Sequence, residues 1–168
     1  LISSSRPGCL PVNLQGLWNH DLHPMWCCGY TTDMNIQMAY WIAEPSHLSH
    51  CHLALFDWID AHTAALEQQC REIFGAEDAA YIPQYTDAFM VPTCERDCGP
   101  FQVLWSGAAP WLARHYYEHW KYTGDDAFAR QRAFPFMKRC MNFYLQMLQK
   151  TAEGRYRLAP ACNPENWA

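Results

Sequence analysis

Apolar residues recur at steps of three and four along several stretches of the chain, the spacing that places them on one face of an α-helix. The clearest stretch covers residues 52–74, with Ser49 placed to cap its start and Gly75 to end it. A second covers residues 104–120, where Pro110 must lie in the first turn or bend the helix. These patterns predict two long amphipathic helices.

Shorter elements surround them. A helix is predicted from about Asn35 to just before Pro45, because the residue preceding a proline disfavours the helical conformation. Residues 1–30 and 76–102 show neither the helical nor the strand period, so they are predicted to be long loops. Residues 155–158 are predicted to form a short strand. Loops of this length in a compact domain commonly line a functional site.

The last third of the chain predicts two more helices. The first is short, covers about residues 126–132 and is capped by Asp125 or Asp126. Pro135 is predicted to separate it from a longer helix, whose apolar stripe covers residues 137–148. The chain is therefore predicted to be all-α, with helices and long irregular loops in alternation.

Composition narrows the class of protein. The 168 residues are 50% hydrophobic and 17% charged, which suits a globular domain with one sizeable core. A formal charge of −5 argues against a nucleic-acid partner or an anionic membrane partner. Aromatic residues make up 15% of the chain, and aromatic faces can stack on the C–H faces of sugars. The excess of aromatic rings therefore permits a carbohydrate-binding groove.

The cysteines and the chain ends add two expectations. The nine cysteines lack the regular spacing of a disulfide framework, so most are expected to be buried thiols, and the cellular compartment stays open. The chain begins at Leu1 and stops at Ala168, shortly after a Pro-Glu-Asn sequence. We expect it to be a fragment of a longer protein.

The stretch from Tyr30 to Trp41 carries the first candidate chemistry. Asp33 and Asn35 lie two residues apart, after the hydroxyls of Thr31 and Thr32 and before an amphipathic run. One interpretation is an Asx-type turn that caps a helix. The other is a pair of polar side chains held on a rigid support for binding or catalysis.

Two clusters suggest metal. His115, Glu118 and His119 match the H-x-x-E-H pattern of a zinc hydrolase, but an aromatic-rich helix with partly buried histidines is the interpretation we favour for them. Residues 47–52 contain three histidines and one cysteine, but no partner pair stands at zinc-site spacing elsewhere. We interpret this second cluster as a solvated helix entry.

Near the end of the chain, Glu165 follows Pro164 and lies between Asn163 and Asn166, with Trp167 beside it. An apolar ring next to a carboxyl group can raise its pKa, which a general acid working near neutrality needs. By itself the motif is also what an ordinary surface turn looks like. Together with the polar pair near residue 34, it would give the two opposed groups that glycoside hydrolysis requires.

Several segments resemble glycoside hydrolase family 95, whose typical members are α-L-fucosidases, with some α-L-galactosidases. The most specific are Leu10-Pro-Val-Asn-Leu-Gln-Gly-Leu-Trp-Asn19, the run from Tyr30 to Glu44, and Asn163-Pro-Glu-Asn166. Residues 48–57 and 111–125 fit the same family in order. The resemblance implies an (α/α)6 barrel built of helical hairpins. Residues 1–168 would then be one partial catalytic domain, about the first half of that barrel, with the remaining half absent.

The resemblance also implies the catalytic roles of an inverting enzyme. Glu165 would be the general acid, and two Asn of a Thr-Thr-Asn-x-Asn motif would hold the attacking water. The second Asn is Asn35, the first is replaced here by Asp33, and the supporting Asp of the family would lie beyond Ala168. We hypothesise that Asp33 is itself the general base, at roughly 6.5–9.5 Å from the carboxylate of Glu165.

A second departure from the family pattern lies before Thr86 and Asp87, where relatives carry histidines and this chain has Pro83 and Gln84. It bears on which sugar is accepted, since the histidines are expected near the sugar. The expected substrate contacts are Trp18, Trp26, Thr32, Thr86, Asp87, Trp105 and Asn166, whereas Trp58 and Trp120 are expected to serve packing.

The sequence therefore predicts a glycosidase that acts on terminal α-L-fucosyl or α-L-galactosyl residues of a glycan and needs no metal or other cofactor. Two alternatives stay open. One is a zinc hydrolase that uses His115, Glu118 and His119, and the other is a helical module that binds glycans without cutting them. The isolated chain is expected to be inactive and poorly stable, because half a barrel leaves apolar helix faces without partners.

Overall fold

The computed structural model describes residues 2–16, 19–92, 104–159 and 161–163. Helices dominate, which confirms the predicted all-α class. They are α1 (Asn35–Trp41), α2 (Ser49–Ala61), α3 (Thr63–Phe74), α4 (Ala108–Thr123), the one-turn α5 (Asp126–Phe128) and α6 (Phe134–Met147), with short 3₁₀ turns at Ile2–Ser4 and Met25–Cys28. The (α/α)6 barrel itself remains a prediction.

The helix predicted over residues 52–74 is two helices. The chain leaves the helical conformation at His62, whose φ is −107° and ψ is 8°, and its ring Nδ1 lies 2.7 Å from the carbonyl oxygen of Trp58. Ser49 is the first residue of α2 and not its cap; its hydroxyl donates to Glu44 Oε2 at 2.5 Å. The C-terminal prediction is confirmed, since Gly75 adopts a left-handed φ of 68° and its N–H donates to the Arg71 carbonyl.

The predicted break at Pro135 is wrong. Asp125 caps α5 by accepting a hydrogen bond from the Phe128 N–H at 2.9 Å. The chain then continues through a π-helical segment, Ala129–Ala133, directly into α6, where Pro135 lies in the first turn. A proline lacks an N–H and clashes with the carbonyl four residues earlier, and the wider π turn just before α6 accommodates both.

Two small antiparallel ladders join the loops. Strand β1 (Tyr30–Thr31) pairs with β2 (Tyr85–Thr86), with Tyr30 opposite Thr86 and Thr31 opposite Tyr85. Strand β3 (Leu148–Lys150) pairs with β4 (Tyr156–Leu158), which confirms the strand predicted over residues 155–158. The first ladder brings together the two polar segments of the sequence that follow Tyr30 and precede Asp87.

The main core lies between α1, α2 and α4. Phe56 of α2 packs against Tyr116 of α4, with ring centroids 4.4 Å apart, and against Phe128 of α5 at 5.1 Å. The Tyr116 hydroxyl donates to Asp60 at 2.8 Å. Arg132 ties the π-helical segment to α2, because its guanidinium binds the carboxylates of both Asp57 and Asp60. The helices around the site therefore form one packed unit.

The outer faces of α4 and α6 are apolar but uncovered. Their exposed side chains include Tyr117, Phe134, Met137, Met141 and Leu145. An exposed apolar stripe of this size normally meets a partner surface. Within the described ranges, no helix is both long and apolar enough to cross a membrane.

Candidate functional site

The β1–β2 ladder places Asp33 against Gln84. Thr32, which directly precedes Asp33, makes two hydrogen bonds to the segment that contains Gln84. Its N–H donates to the Gln84 carbonyl at 2.8 Å, and its hydroxyl donates to the Pro83 carbonyl at 2.6 Å. With both backbones fixed, Gln84 Nε2 donates to Asp33 Oδ2 at 3.0 Å. Asp33 is 4% exposed and Gln84 is 1% exposed, so this contact lies inside the protein.

The same place contains polar atoms without partners. Thr31 Oγ1, Asp33 Oδ1 and Gln84 Oε1 are buried and accept or donate no hydrogen bond within the described part of the chain. A buried polar group that lacks a partner costs roughly 1–3 kcal/mol, and more if it is charged. Two of these atoms belong to Asp33 and Gln84, whose side chains contact each other, and hydrogen-bonding groups from outside these segments would satisfy both; Gln69 Oε1 on α3 is a fourth such atom.

The remaining candidate polar residues differ in exposure and in their contacts. Asn35 opens α1 and is exposed to solvent. Thr86 is fully buried and its hydroxyl donates to the Asp87 carbonyl at 2.7 Å. Asp87 is half-buried and organises the next turn, since its Oδ1 accepts from the N–H groups of Phe89 at 2.8 Å and Val91 at 3.0 Å.

The aromatic candidates differ in exposure. Trp26 is 55% exposed, on a turn where its φ is positive at 57°. Trp105 is partly buried, packs against the main core and lies close to Gly107, where a Cβ would meet its ring at 2.6 Å. Trp18, Glu165 and Asn166 lie outside the described residues. The separation of Asp33 and Glu165 therefore stays a prediction.

A buried hydrogen-bond network, which the sequence did not predict, runs behind the site. Glu44 is its anchor. Glu44 Oε1 lies 2.8 Å from His52 Nδ1 and 2.6 Å from His119 Nδ1, and Oε2 accepts from the Ser49 hydroxyl. Burial raises the pKa of Glu44, but the hydrogen bonds from His119, His52 and Ser49 outweigh it and hold that pKa below its usual value. The network is therefore built around an ionised carboxylate.

The network leads from Glu44 to the candidate site. His52 Nε2 lies 3.0 Å from His115 Nδ1, and His115 Nε2 lies 3.0 Å from Gln37 Oε1. Gln37 Nε2 donates to the Thr32 carbonyl at 2.8 Å. One continuous chain of contacts thus joins α2, α4 and α1, and it ends at the residue that precedes Asp33.

The contacts require one extra proton. Gln37 directs its NH₂ at a carbonyl, so its oxygen faces His115 and that ring nitrogen must carry a hydrogen. The contacts from Glu44 to His52, from His52 to His115 and from His115 to Gln37 then need three hydrogens. An ionised Glu44 with two neutral imidazoles supplies two.

Two effects oppose each other in the protonation of the His52–His115 pair. Burial lowers the pKa of both His52 and His115, which disfavours an imidazolium. The hydrogen count favours the extra proton. If both His52 and His115 were neutral, two lone pairs would face each other at about 3.0 Å, either between the two rings or between His115 and Gln37. With the proton present, it offsets the charge of Glu44, and the cluster is neutral as a whole.

This network corrects two expectations. His52 is 1% exposed, so the cluster at residues 47–52 is not simply a solvated helix entry. The zinc trio does not converge either, because Glu118 pairs with Arg114 at 2.8 Å while His115 and His119 point into the core. The signal that was available in the sequence was the dense histidine content of both helices, but not which partner each ring would meet.

A different trio, Glu44, His52 and His119, brings its ligand atoms within 4.8 Å of one another. Zinc bonds of about 2.0 Å in a tetrahedral site would space the ligand atoms about 3.3 Å apart. The carboxylate oxygen is closer than that to each ring nitrogen, at 2.8 and 2.6 Å. These separations are those of hydrogen bonds, so we interpret the trio as part of the network.

Comparison with known proteins identifies the class. The family model described as "Glycosyl hydrolase family 95 catalytic domain" matches residues 1–168, so the helical domain is of the glycosyl hydrolase catalytic type. The chain belongs to glycosyl hydrolase family 95, which confirms the resemblance of its motifs.

Curated relatives agree with this membership. The chain is 31% identical over 166 residues to "Alpha-L-fucosidase 2" of Arabidopsis thaliana. This match covers 99% of the chain and 20% of the relative. It is 26% identical over 168 residues to "Probable alpha-fucosidase A" of Aspergillus niger, covering 98% of this chain and 21% of the relative. The chain thus spans about a fifth of the length of these relatives.

Proposed function

We propose that this chain is part of the catalytic barrel of an inverting glycosidase that acts on terminal α-L-fucosyl or α-L-galactosyl residues of glycans. The observation that carries the proposal is the buried carboxylate of Asp33, in which Gln84 binds one oxygen and the other has no hydrogen-bond partner among the described residues. Family membership and the α-fucosidase names of the relatives supply the reaction class. The exposed apolar faces of α4 and α6 are where further helices of an (α/α)6 barrel would pack.

The proposed reaction uses two groups on opposite faces of the sugar. Glu165 donates its proton to the glycosidic oxygen as the bond from that oxygen to the anomeric carbon breaks. Asp33 Oδ1 accepts a proton from the water that forms the new bond on the other face, and Asn35 orients that water. The leaving group departs as an alcohol and the anomeric configuration inverts.

The other candidate residues would surround the sugar. Asp87 and Asn166 would contact its hydroxyls, and Trp18, Trp26 and Trp105 would offer aromatic faces. Thr32 and Thr86 are both fully buried with their hydroxyls on backbone carbonyls, so they would support the site by holding the β1–β2 segment. No step of this mechanism needs a metal or another cofactor.

The test is hydrolysis of aryl α-L-fucoside and aryl α-L-galactoside by the full-length polypeptide that contains this chain. We expect release of the aryl group, with the β-anomer as the first sugar product in proton NMR. Glu165→Gln should abolish hydrolysis of a natural glycan, whereas Glu118→Gln, in an ion pair whose Arg114 side chain is 66% exposed, should leave it unchanged. Glycan binding without any hydrolysis would favour the non-catalytic alternative, and an α-anomer as first product would contradict inversion.

A further inference from the structure

Two positions at which the resemblance implies a departure from the family pattern contact each other. They are Asp33, in the first Asn position of the water-binding motif, and Gln84, in a position of the expected histidines. The two residues are 51 positions apart in sequence, and Gln84 Nε2 donates to Asp33 Oδ2 at 3.0 Å. Both side chains are buried, so solvent does not compete for this hydrogen bond.

The geometry gives each oxygen of Asp33 a different role. A carboxylate can accept on either oxygen, and free rotation would present both to a ligand in turn. The amide of Gln84 binds Oδ2, while Oδ1 has no partner within the described ranges. A carboxamide does not titrate, so this donor keeps its hydrogen at every pH at which the protein is folded.

Gln84 is itself held in place by backbone contacts. Its carbonyl accepts a hydrogen bond from the Thr32 N–H at 2.8 Å, and the Thr32 hydroxyl, which donates to the Pro83 carbonyl at 2.6 Å, lies 3.1 Å from the same Gln84 oxygen. Thr32 in turn is fixed by Gln37 at the end of the buried network. The donor that orients Asp33 is therefore part of a rigid support, as a positioned functional group requires.

The buried atoms without partners also define which chemical groups would bind beside Asp33 and Gln84. Asp33 Oδ1 and Gln84 Oε1 are both acceptors, and the Thr31 hydroxyl can either donate or accept. A ligand that satisfies the two acceptors must bring O–H or N–H donors. A water molecule, or a water together with a sugar hydroxyl, has that chemistry.

We propose that Gln84 is a positioning residue, which holds Asp33 by Oδ2 and thereby directs Oδ1 at the attacking water. This inference rests on the proposed function, in which Asp33 accepts the proton of that water. Gln84 makes no bond in the reaction and acts only through Asp33.

The kinetic test replaces the amide in the full-length polypeptide. Gln84→Met keeps the length of the side chain but removes the donor, and we expect kcat to fall about 10²-fold with KM changed less than about threefold. Gln84→His restores a ring N–H donor and should recover a large part of that loss. Gln69→Met is the matched control, because Gln69 is a partly buried glutamine that donates to the Met90 carbonyl at 3.1 Å and does not contact Asp33.

A double-mutant cycle separates positioning from general destabilisation. In an Asp33→Ala background, Gln84→Met should have no further effect on kcat, because the group it positions is gone. Effects that multiply would overturn the proposal while leaving the glycosidase function intact. A wild-type polypeptide without hydrolysis of either aryl glycoside would instead refute the proposed function.

A structural readout tests the inference independently of activity. In a crystal structure of the Gln84→Met polypeptide, the Asp33 carboxylate should rotate or take a new partner at Oδ2. An Asp33 side chain that keeps its wild-type orientation without the amide would overturn the proposal, whatever the kinetics show.

Discussion

Replacing Glu44 by Gln is the sharpest test of the buried network. The glutamine has nearly the same shape, its oxygen can still accept from His52 and His119, and its NH₂ can donate to Ser49. The hydrogen bonds can therefore persist while the negative charge is lost. The extra proton shared with His52 and His115 then has no counter-charge, and the cluster must either keep a buried positive charge or lose one of its hydrogen bonds.

Removing one partner of a buried ion pair typically costs about 3–5 kcal/mol. Because the hydrogen-bond acceptors are retained, we expect a value near the lower end, about 3 kcal/mol. At 1.36 kcal/mol per tenfold change, this corresponds to roughly a 150-fold increase in the population of locally opened molecules. The effect should concentrate in the helices that the network joins, α2 and α4.

Hydrogen–deuterium exchange of the full-length polypeptide measures this opening locally. Amides in Ser49–Ala61 and Ala108–Thr123 should exchange roughly 150-fold faster in Glu44→Gln than in the wild type. Glu118→Gln is the matched control, since it makes the same chemical change in an ion pair whose Arg114 side chain is 66% exposed. An exposed pair is worth at most about 1 kcal/mol, and the control should change exchange only a few-fold.

The lowered pKa of Glu44 adds a pH dependence. A carboxylate whose pKa is lower in the folded state stabilises that state fully above its unfolded pKa of about 4.3, and the stabilisation is lost as the pH falls below it.

Exchange rates that differ by less than twofold between the wild type and Glu44→Gln at pH 7 would refute the reasoning about the network.

Three further predictions concern the protonation of the network, the thiol of Cys140 and the isolated chain. Nitrogen-15 NMR of the histidine rings at pH 7 should show one more ring proton in the wild-type network than two neutral imidazoles carry; two neutral rings would contradict the hydrogen count. Burial raises the pKa of Cys140 to about 12, so at pH 8 it should react with iodoacetamide at least tenfold more slowly than the exposed Cys9. Because the unfolded thiol ionises near pH 8.5, the stability contributed by keeping Cys140 protonated is present below that pH and is lost as the pH rises toward 12, which urea unfolding between pH 7 and 10 would detect. Finally, residues 1–168 expressed alone should bind a fluorescent apolar dye and unfold without a sharp transition, whereas a sharp transition with full activity would contradict the partial-barrel proposal.

Local signals in the sequence predicted the local structure well. Gly75 and Gly124 both adopt a left-handed φ of 68° directly after a helix, where an L-residue with a Cβ would be strained. Asp125 caps the next helix through its side chain, as expected of an Asp before a helical run. Each of these features depends on neighbours within one turn, so the sequence contains the whole cause.

The incorrect predictions involve contacts that a local pattern does not show. Pro135 is tolerated because the preceding segment, Ala129–Ala133, widens into a π turn. The apolar period of the sequence continues across that segment, so it gives no sign of the π turn. The break at His62 falls inside a continuous apolar period and leaves the pattern on both sides intact.

The candidate site was predicted from its motif and not from its geometry. Asp33 meets Gln84, 51 positions away in sequence, only because two strands of two residues each pair, and strands that short have no readable period. The network shows the same limit, since His115 contacts His52 and Gln37 across 63 and 78 positions. Identifying the residue types was therefore possible from the sequence, whereas identifying their partners required the fold.

The central claim is that Asp33 activates the attacking water, and Asp33→Ala in the full-length polypeptide tests it most directly. Proton transfer by a positioned side chain contributes about 10²–10⁴-fold, so kcat for the aryl α-L-fucoside or aryl α-L-galactoside should fall by that factor with KM little changed. Asp78→Ala, at an exposed carboxylate that pairs with Lys138, serves as the matched control and should retain the wild-type kcat. An Asp33→Ala polypeptide with wild-type kcat would contradict the account.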